Sequence, residues 1–173
     1  MVVSVIGSTP RFDAMPPDTI PERVLTGAVA EGLVRFDAAG QIEPGLAERW
    51  IVIDDGLRYI FRLRAGQWSD GRAVTTGQVV TILNRRLRDP ANPLFQYLTA
   101  IDEVVEMTPQ VIEVRLSRPR PDLLKLFAQP ELAIARQRPP GGGGPFRMIA
   151  GRGLMLRPVP DLARSEDEAA ADL

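Results

Sequence analysis

The sequence predicts an α/β fold, and three stretches carry that prediction. Residues 51–63 hold an apolar strand, a tight Asp54-Asp55-Gly56 turn and a second strand with strict alternation. Residues 75–87 hold an amphipathic helix opened by threonine, and residues 101–116 hold two further strands joined at Thr108-Pro109-Gln110. With 45% hydrophobic and 25% charged residues among 173, the chain has an ordinary globular composition and enough length to bury a core.

Taken in order, Val2 to Ile6 is a short apolar strand ended by Gly7 and Pro10, followed by an irregular Pro- and Asp-rich loop over 11–21. Pro21-Glu22 opens a helix, since proline is tolerated in a first turn, and Val24, Leu25, Ala28 and Val29 line its inner face. Ala30-Glu31-Gly32 ends that helix and leads into a strand from Leu33 to Phe36, a turn over 37–40 and a return at Gln41-Ile42. Pro44-Gly45 turns the chain, and Leu46-Ala47-Glu48-Arg49 reads as a helical turn ending at Trp50. Beyond the Asp54-Asp55-Gly56 turn, Leu57, Tyr59, Phe61 and Leu63 alternate with Arg58, Ile60, Arg62 and Arg64, which makes one face apolar. Trp68-Ser69-Asp70-Gly71 then turns the chain into a helix begun by Thr75 or Thr76, with Val79, Ile82, Leu83 and Leu87 on one side.

Asp89-Pro90-Ala91-Asn92-Pro93 breaks that helix, because each proline disfavours helix in the residue before it. A helical turn over 94–99 precedes strands at 101–107 and 111–116; 118–121 is a stiff connector, 122–127 a short helix and 131–135 a strand candidate. Composition changes abruptly at Arg136 to Gly144, where prolines followed by glycines predict no regular structure, either a mobile stretch or a hinge. Residues 146–149 and 154–157 predict a hairpin around Gly151-Arg152-Gly153 that rejoins the sheet begun by residues 2–6. The acidic, alanine-rich end carries Ser165 and Glu168 at capping-box spacing, which fits either a short helix or a frayed tail.

Several function classes are excluded by residue type alone. A net charge of −1 gives no electrostatic reason for nucleic acid or an anionic membrane as partner. The chain has no cysteine and no histidine, which removes disulfides, thiolate catalysis and the commonest general base and metal ligand. No apolar run approaches the roughly 18 residues of a membrane span, and Met1 leads straight into a strand without a signal-peptide pattern. Asp54-Asp55 sits in a turn and Glu166-Asp167-Glu168 in a solvated tail, while Ser69-Asp70 lacks a base. The glycine run lacks the Lys-Ser/Thr that a phosphate-binding loop requires. Trp50, Tyr59 and Trp68 read as core aromatics, and Arg11, Arg58, Arg62 and Arg64 as a basic strip on a wet face. Nothing here makes an enzyme; no catalytic residue, cofactor or metal site is expected.

Four segments in this order, PGLAERW, DDGLRYIFRLR, WSDGRAVTTGQVV and GGGGPFR, resemble successive signatures of the extracellular solute-binding proteins of ABC importers, family 5. The resemblance covers about residues 2–158 and is to the N-terminal portion of the oligopeptide-, dipeptide- or nickel-binding class. It implies part of the first lobe of a periplasmic-binding-protein-like fold with the accessory mixed-sheet subdomain of that class. On this expectation residues 1–30 and 140–158 form the partial main lobe, 31–135 the accessory subdomain, 136–144 a flexible connector and 159–173 an acidic tail. The role implied is capture of a peptide-like or metal-chelate solute in the periplasm or cell envelope for an ABC permease. The cleft wall implied by the motif context is Glu31, Gly32 and Leu33, with Arg11 and Phe12 second; an acid at Glu31 suits a ligand's ammonium group, though a glutamate near a helix end is also commonly just solvated.

Three departures from the family pattern stand out. Thr75-Thr76-Gly77-Gln78 replaces the usual Thr-Ala-Glu-Asp, which removes the capping-box acid and puts glycine in the first turn. Gly142-Gly143-Gly144-Pro145-Phe146 stands for the usual GTGPY or GTGPF. Family members are also far longer, so the chain is expected to lack the second lobe needed for tight binding. Two alternatives remain open on sequence: the solute-sensing domain of a transcriptional regulator, and a scaffold fragment that binds nothing.

Overall fold

The computed structural model describes residues 17, 19–68, 70–137, 140–149 and 155–158. Among the described residues the first secondary element is helix α1 (Ile20–Val29), followed by strands β1 (Val34–Phe36), β2 (Ile42–Pro44), β3 (Ala47–Ile53) and β4 (Arg58–Leu63). Helix α2 (Thr76–Leu87), strands β5 (Ile101–Thr108) and β6 (Val111–Leu116) and helix α3 (Leu123–Phe127) come next. Four short strands end the described chain: β7 (Ala135–Gln137), β8 (Pro140–Gly142), β9 (Phe146–Ile149) and β10 (Met155–Pro158). The expected α/β character is borne out. The expected strand at 2–6, the loop before residue 17 and the tail from 159 lie outside the described residues.

The main sheet is antiparallel throughout, in the order β3-β4-β6-β5. Its β3–β4 hairpin closes through three consecutive left-handed residues, Asp54, Asp55 and Gly56, with φ of 52°, 51° and 85°. Aspartate tolerates that region because its side chain bonds locally, and glycine has no Cβ to clash. Tyr59, Phe61 and Leu63 point into the core, as their alternation requires. Residues 46–49 correct the sequence reading: they form no helical turn. Ala47 pairs with Leu63, and the N–H groups of Leu46 and Ala47 donate to the carbonyls of Gly32 and Leu33. Leu, Ala, Glu and Arg favour helix, but these long-range partners outweigh a few tenths of a kcal/mol of propensity per residue.

Helix α2 covers the apolar face of the sheet with Val79 and Leu83, both fully buried beside Trp68. The lost capping acid is replaced from two sources. Gln78 completes the box as an amide, since its Oε1 accepts the Thr75 N–H at 3.2 Å while Thr75 Oγ1 accepts the Gln78 N–H at 3.3 Å. The same Oε1 accepts the indole N–H of Trp68 at 2.9 Å, which ties the cap to the core. Glu106 on β5 brings the carboxylate, with Thr76 Oγ1 donating to it at 2.5 Å, so the negative charge reaches the positive helix end from another strand. Phe61 stacks on Tyr59 and meets Phe127 of α3 edge-on at 5.8 Å, joining α3 to the same core. On the outer face, Glu113 is buried between Arg58 and Arg115, so the arginines there are ion-paired.

A second, smaller core holds Leu25, Ala28 and Val29 from α1 and Ala30 just past it, with Ala133, Ala135 and Phe146. Thr19 and Glu22 form a capping box at the start of α1, and Val24, expected inside, is 37% exposed. Residues 131–135 are not one strand: a single tight helical turn at Pro130–Leu132 precedes β7, and Ile134 makes one bridge, to Glu31. The Pro/Gly-rich stretch departs furthest from expectation. Strands β7 and β8 pair antiparallel, and Gly141 to Phe146 are buried. A Cβ on Gly142 would stand 2.5 Å from the Val29 carbonyl oxygen and 2.6 Å from Ala30 Cα, and one on Gly144 2.6 Å from the Val29 carbonyl carbon. These glycines are there to let two backbones touch. The hairpin of β9 and β10 forms as expected.

The glycines separate by this account. Gly142→Ala is expected to lower stability by more than about 1 kcal/mol, whereas Gly143→Ala, whose Cβ meets nothing within 4 Å, stays within about 0.5 kcal/mol of the parent in denaturant melts. Equal effects would mean that the backbone contact is not made in solution.

Candidate functional site

The end of α1 is where the two cores meet. Ala30 leaves the helix in an extended conformation, its N–H still donating to the Thr26 carbonyl at 2.8 Å. Glu31 then pairs across to Ile134, whose N–H donates to the Glu31 carbonyl at 2.8 Å. Gly32 follows because nothing larger fits: a Cβ there would collide with the carbonyl oxygen of Phe127 and lie 2.7 Å from that of Val34. Above this crossing lies a cavity of about 300 Å³. Gly27 of α1, its cap residue Ala30, the Glu31-Gly32 crossing, Arg35 to Ala38, and Ala128 to Pro130 surround it.

Of the wall residues expected from sequence, the structure brings Glu31 and Gly32 to the cavity. The Leu33 side chain is fully buried in the larger core. Arg11 and Phe12 lie outside the described residues.

Glu31 is not a solvated acid. Its side chain is 9% exposed and forms an ion pair with Arg64, the residue just past the end of β4. Arg64 is held from two other sides, through Nε to the Gly45 carbonyl at 3.0 Å and through Nη2 to the Gly143 carbonyl at 3.4 Å. Burial pushes the Glu31 carboxyl above its ordinary range; the charge and hydrogen bond of Arg64, and the charge of Arg35, pull against that. Three further ionisable groups line the cavity. Arg23 pairs with buried Glu131, Arg35 with Glu43 at 2.7 Å, and the Asp37 carboxylate accepts the N–H groups of Ala39 and Gln41 at 2.8 and 2.7 Å.

Sequence reasoning missed Arg23, Gly27, Arg35 and Arg64. Arg64 extends the alternation of β4 and so reads as one more outward arginine, while Arg23 meets an acid 108 residues away. Trp68 is fully buried, with the Arg136 guanidinium 4.6 Å above its ring and Asp70 2.7 Å from that cation, so it offers a solute no open face. Among the described residues no cluster of three or more acidic side chains could hold a metal ion, and no helix is long and apolar enough to cross a membrane.

The family model described as bacterial extracellular solute-binding proteins, family 5 Middle, matches residues 41–153. A probable deoxycholate-binding periplasmic protein, YgiS of Escherichia coli K12, is 49% identical over 71 residues, 39% of this chain and 13% of its own. The periplasmic oligopeptide-binding protein OppA of Haemophilus influenzae is 35% identical over 111 residues, 62% of this chain and 20% of its own. Among solved structures, AgaA of A. tumefaciens R10 in complex with agropinic acid superposes on 91% of this chain and 35% of its own, with a TM-score of 0.77 at 26% identity. OppA of Haemophilus influenzae with the peptide RPPGFSPFR shares the fold at a TM-score of 0.77 and 22% identity, over 89% of this chain and 37% of its own. The chain thus spans well under half the length of each of these proteins.

The buried carboxyl has a pH signature. A group whose folded pKa is raised binds its proton more tightly in the fold, so its contribution is present at low pH and is lost as pH rises through the folded pKa. The stability of the parent relative to Glu31→Gln is therefore expected to fall from pH 4 towards neutrality. Denaturant melts of both proteins across that range check it, and a rising difference would reverse the assigned direction.

Proposed function

The chain belongs to the bacterial extracellular solute-binding proteins of family 5, and on that premise we propose that its cavity is one wall of a solute-binding cleft. The solute is peptide-like or a metal chelate, captured outside the cytoplasmic membrane and passed to an ABC permease. The observation that carries this reading is Gly27. It stands inside α1, where glycine costs about 1 kcal/mol relative to alanine, and nothing lies within 4 Å of where its Cβ would be. No packing demand accounts for it, and the open space beside it is the cavity. The wall residue Gly32 and the neighbouring Glu31 line the same space. Small organic solutes in the names of several relatives, from oligopeptides to agropinic acid, fit the same class of ligand.

In such a cleft two walls close on the solute and exclude water, and a solute that contacts both favours the closed state. The 173 residues, about a third of the length of the solved relatives, supply one wall in this reading. Their own affinity is then weak, on the order of millimolar for a short peptide or a nickel chelate.

The test puts stability and binding in opposition. Gly27→Leu fills the cavity from a helical position that favours leucine, so it should raise stability by about 0.5–1 kcal/mol while removing peptide binding measured by titration. A variant that binds as well as the parent would rule out this cavity as the wall. Micromolar binding by the parent chain would rule out the single-wall account.

A further inference from the structure

The charges around the cavity are already matched within the fold. Arg23, Arg35 and Asp37 sit at its rim with their own partners, and Glu31, the deepest of the four, is closed off by Arg64. Arg64 cannot swing aside freely, because the Gly45 and Gly143 carbonyls hold the same guanidinium. A ligand ammonium aimed at Glu31 would have to displace a hydrogen-bonded cation and leave it without its acid in a part-buried place. The Coulomb gain of the new pair would be offset by the loss of the old one, and desolvation of the ammonium would stand uncompensated. Besides these charged groups and Gln129, the cavity is lined by small and apolar residues, among them Gly27, Phe36, Ala38 and Pro130.

We propose that this cavity takes an uncharged part of its solute, and that Arg64 is the specificity-determining residue that keeps an ammonium group out. The inference rests on the solute-binding reading above and reverses the expectation that the acid of Glu31 serves a ligand's amine. It also assigns the Glu31–Arg64 pair a role at the wall besides joining the two cores.

Two probes that differ only at the amino terminus separate the cases: alanyl-phenylalaninamide, which carries an ammonium, and its N-acetyl derivative, which does not. Their affinities are read from chemical-shift titrations of the Gly27, Ala30 and Gly32 amides in the 173-residue chain. The acetylated probe is expected to bind at least about tenfold more tightly. Arg64→Met removes the cation that competes for Glu31 and should reverse the order, and adding Glu31→Gln to it should restore preference for the neutral probe. If Arg64→Met does not fold, Glu31→Gln alone serves, because it leaves Arg64 unmatched and should favour acetyl-alanyl-phenylalanine with a free carboxylate over its amide. A parent chain that binds the ammonium probe as tightly as the acetylated one overturns the assignment to Arg64. If neither probe moves these amides, the solute-binding reading of the cavity falls, and this inference with it.

Discussion

Four glycines set the distance at which main chains cross in this molecule. Gly32 lies against the Phe127 carbonyl, Gly45 against the Gly32 carbonyl, and Gly142 and Gly144 against the last turn of α1. Each contact is closer than any Cβ allows, so the crossing of main chains at Glu31 exists only because side chains are missing there. The cavity follows from that crossing. It is the space left where α1 ends, the chain turns across Ile134, and the segment after α3 runs past. At that crossing the Arg64 guanidinium ties Glu31 to the Gly45 and Gly143 carbonyls.

What could be read in the sequence was local. The β3–β4 turn, the alternation of β4, the threonine cap of α2 and the β5–β6 and β9–β10 hairpins all depend on residues within one or two turns of each other. Such patterns carry their own physics: period-two burial, a hydroxyl for an orphan N–H, a residue tolerant of positive φ. What failed was tertiary. Residues 46–49 have helical composition and become strand because Leu63 and the Gly32 and Leu33 carbonyls are waiting for them. Residues 136–144 announce themselves by composition, yet whether glycines mark looseness or close contact depends on what lies opposite, here Val29 and Ala30.

The candidate site was legible in the same partial way. The Glu31-Gly32-Leu33 motif falls at the crossing, and two of its three residues line the cavity. The pairing of the charges around the cavity was hidden, because the partners Arg64 and Glu131 lie 33 residues from Glu31 and 108 from Arg23. An acid in a motif invites a cation as ligand. The fold has already supplied that cation itself.

The strand order β3-β4-β6-β5 also has a kinetic meaning. Each outer pair is a hairpin joined by a few residues, able to close on the microsecond scale. The inner seam, where Tyr59 pairs with Val114, joins strands that are far apart in the chain, with all of α2 between them. Loop closure over that distance is an entropic toll which neither hairpin can repay until both are formed. Contact order therefore favours a main sheet of two early hairpins joined by a late seam, with α2, which packs against β5 and β6, completing it.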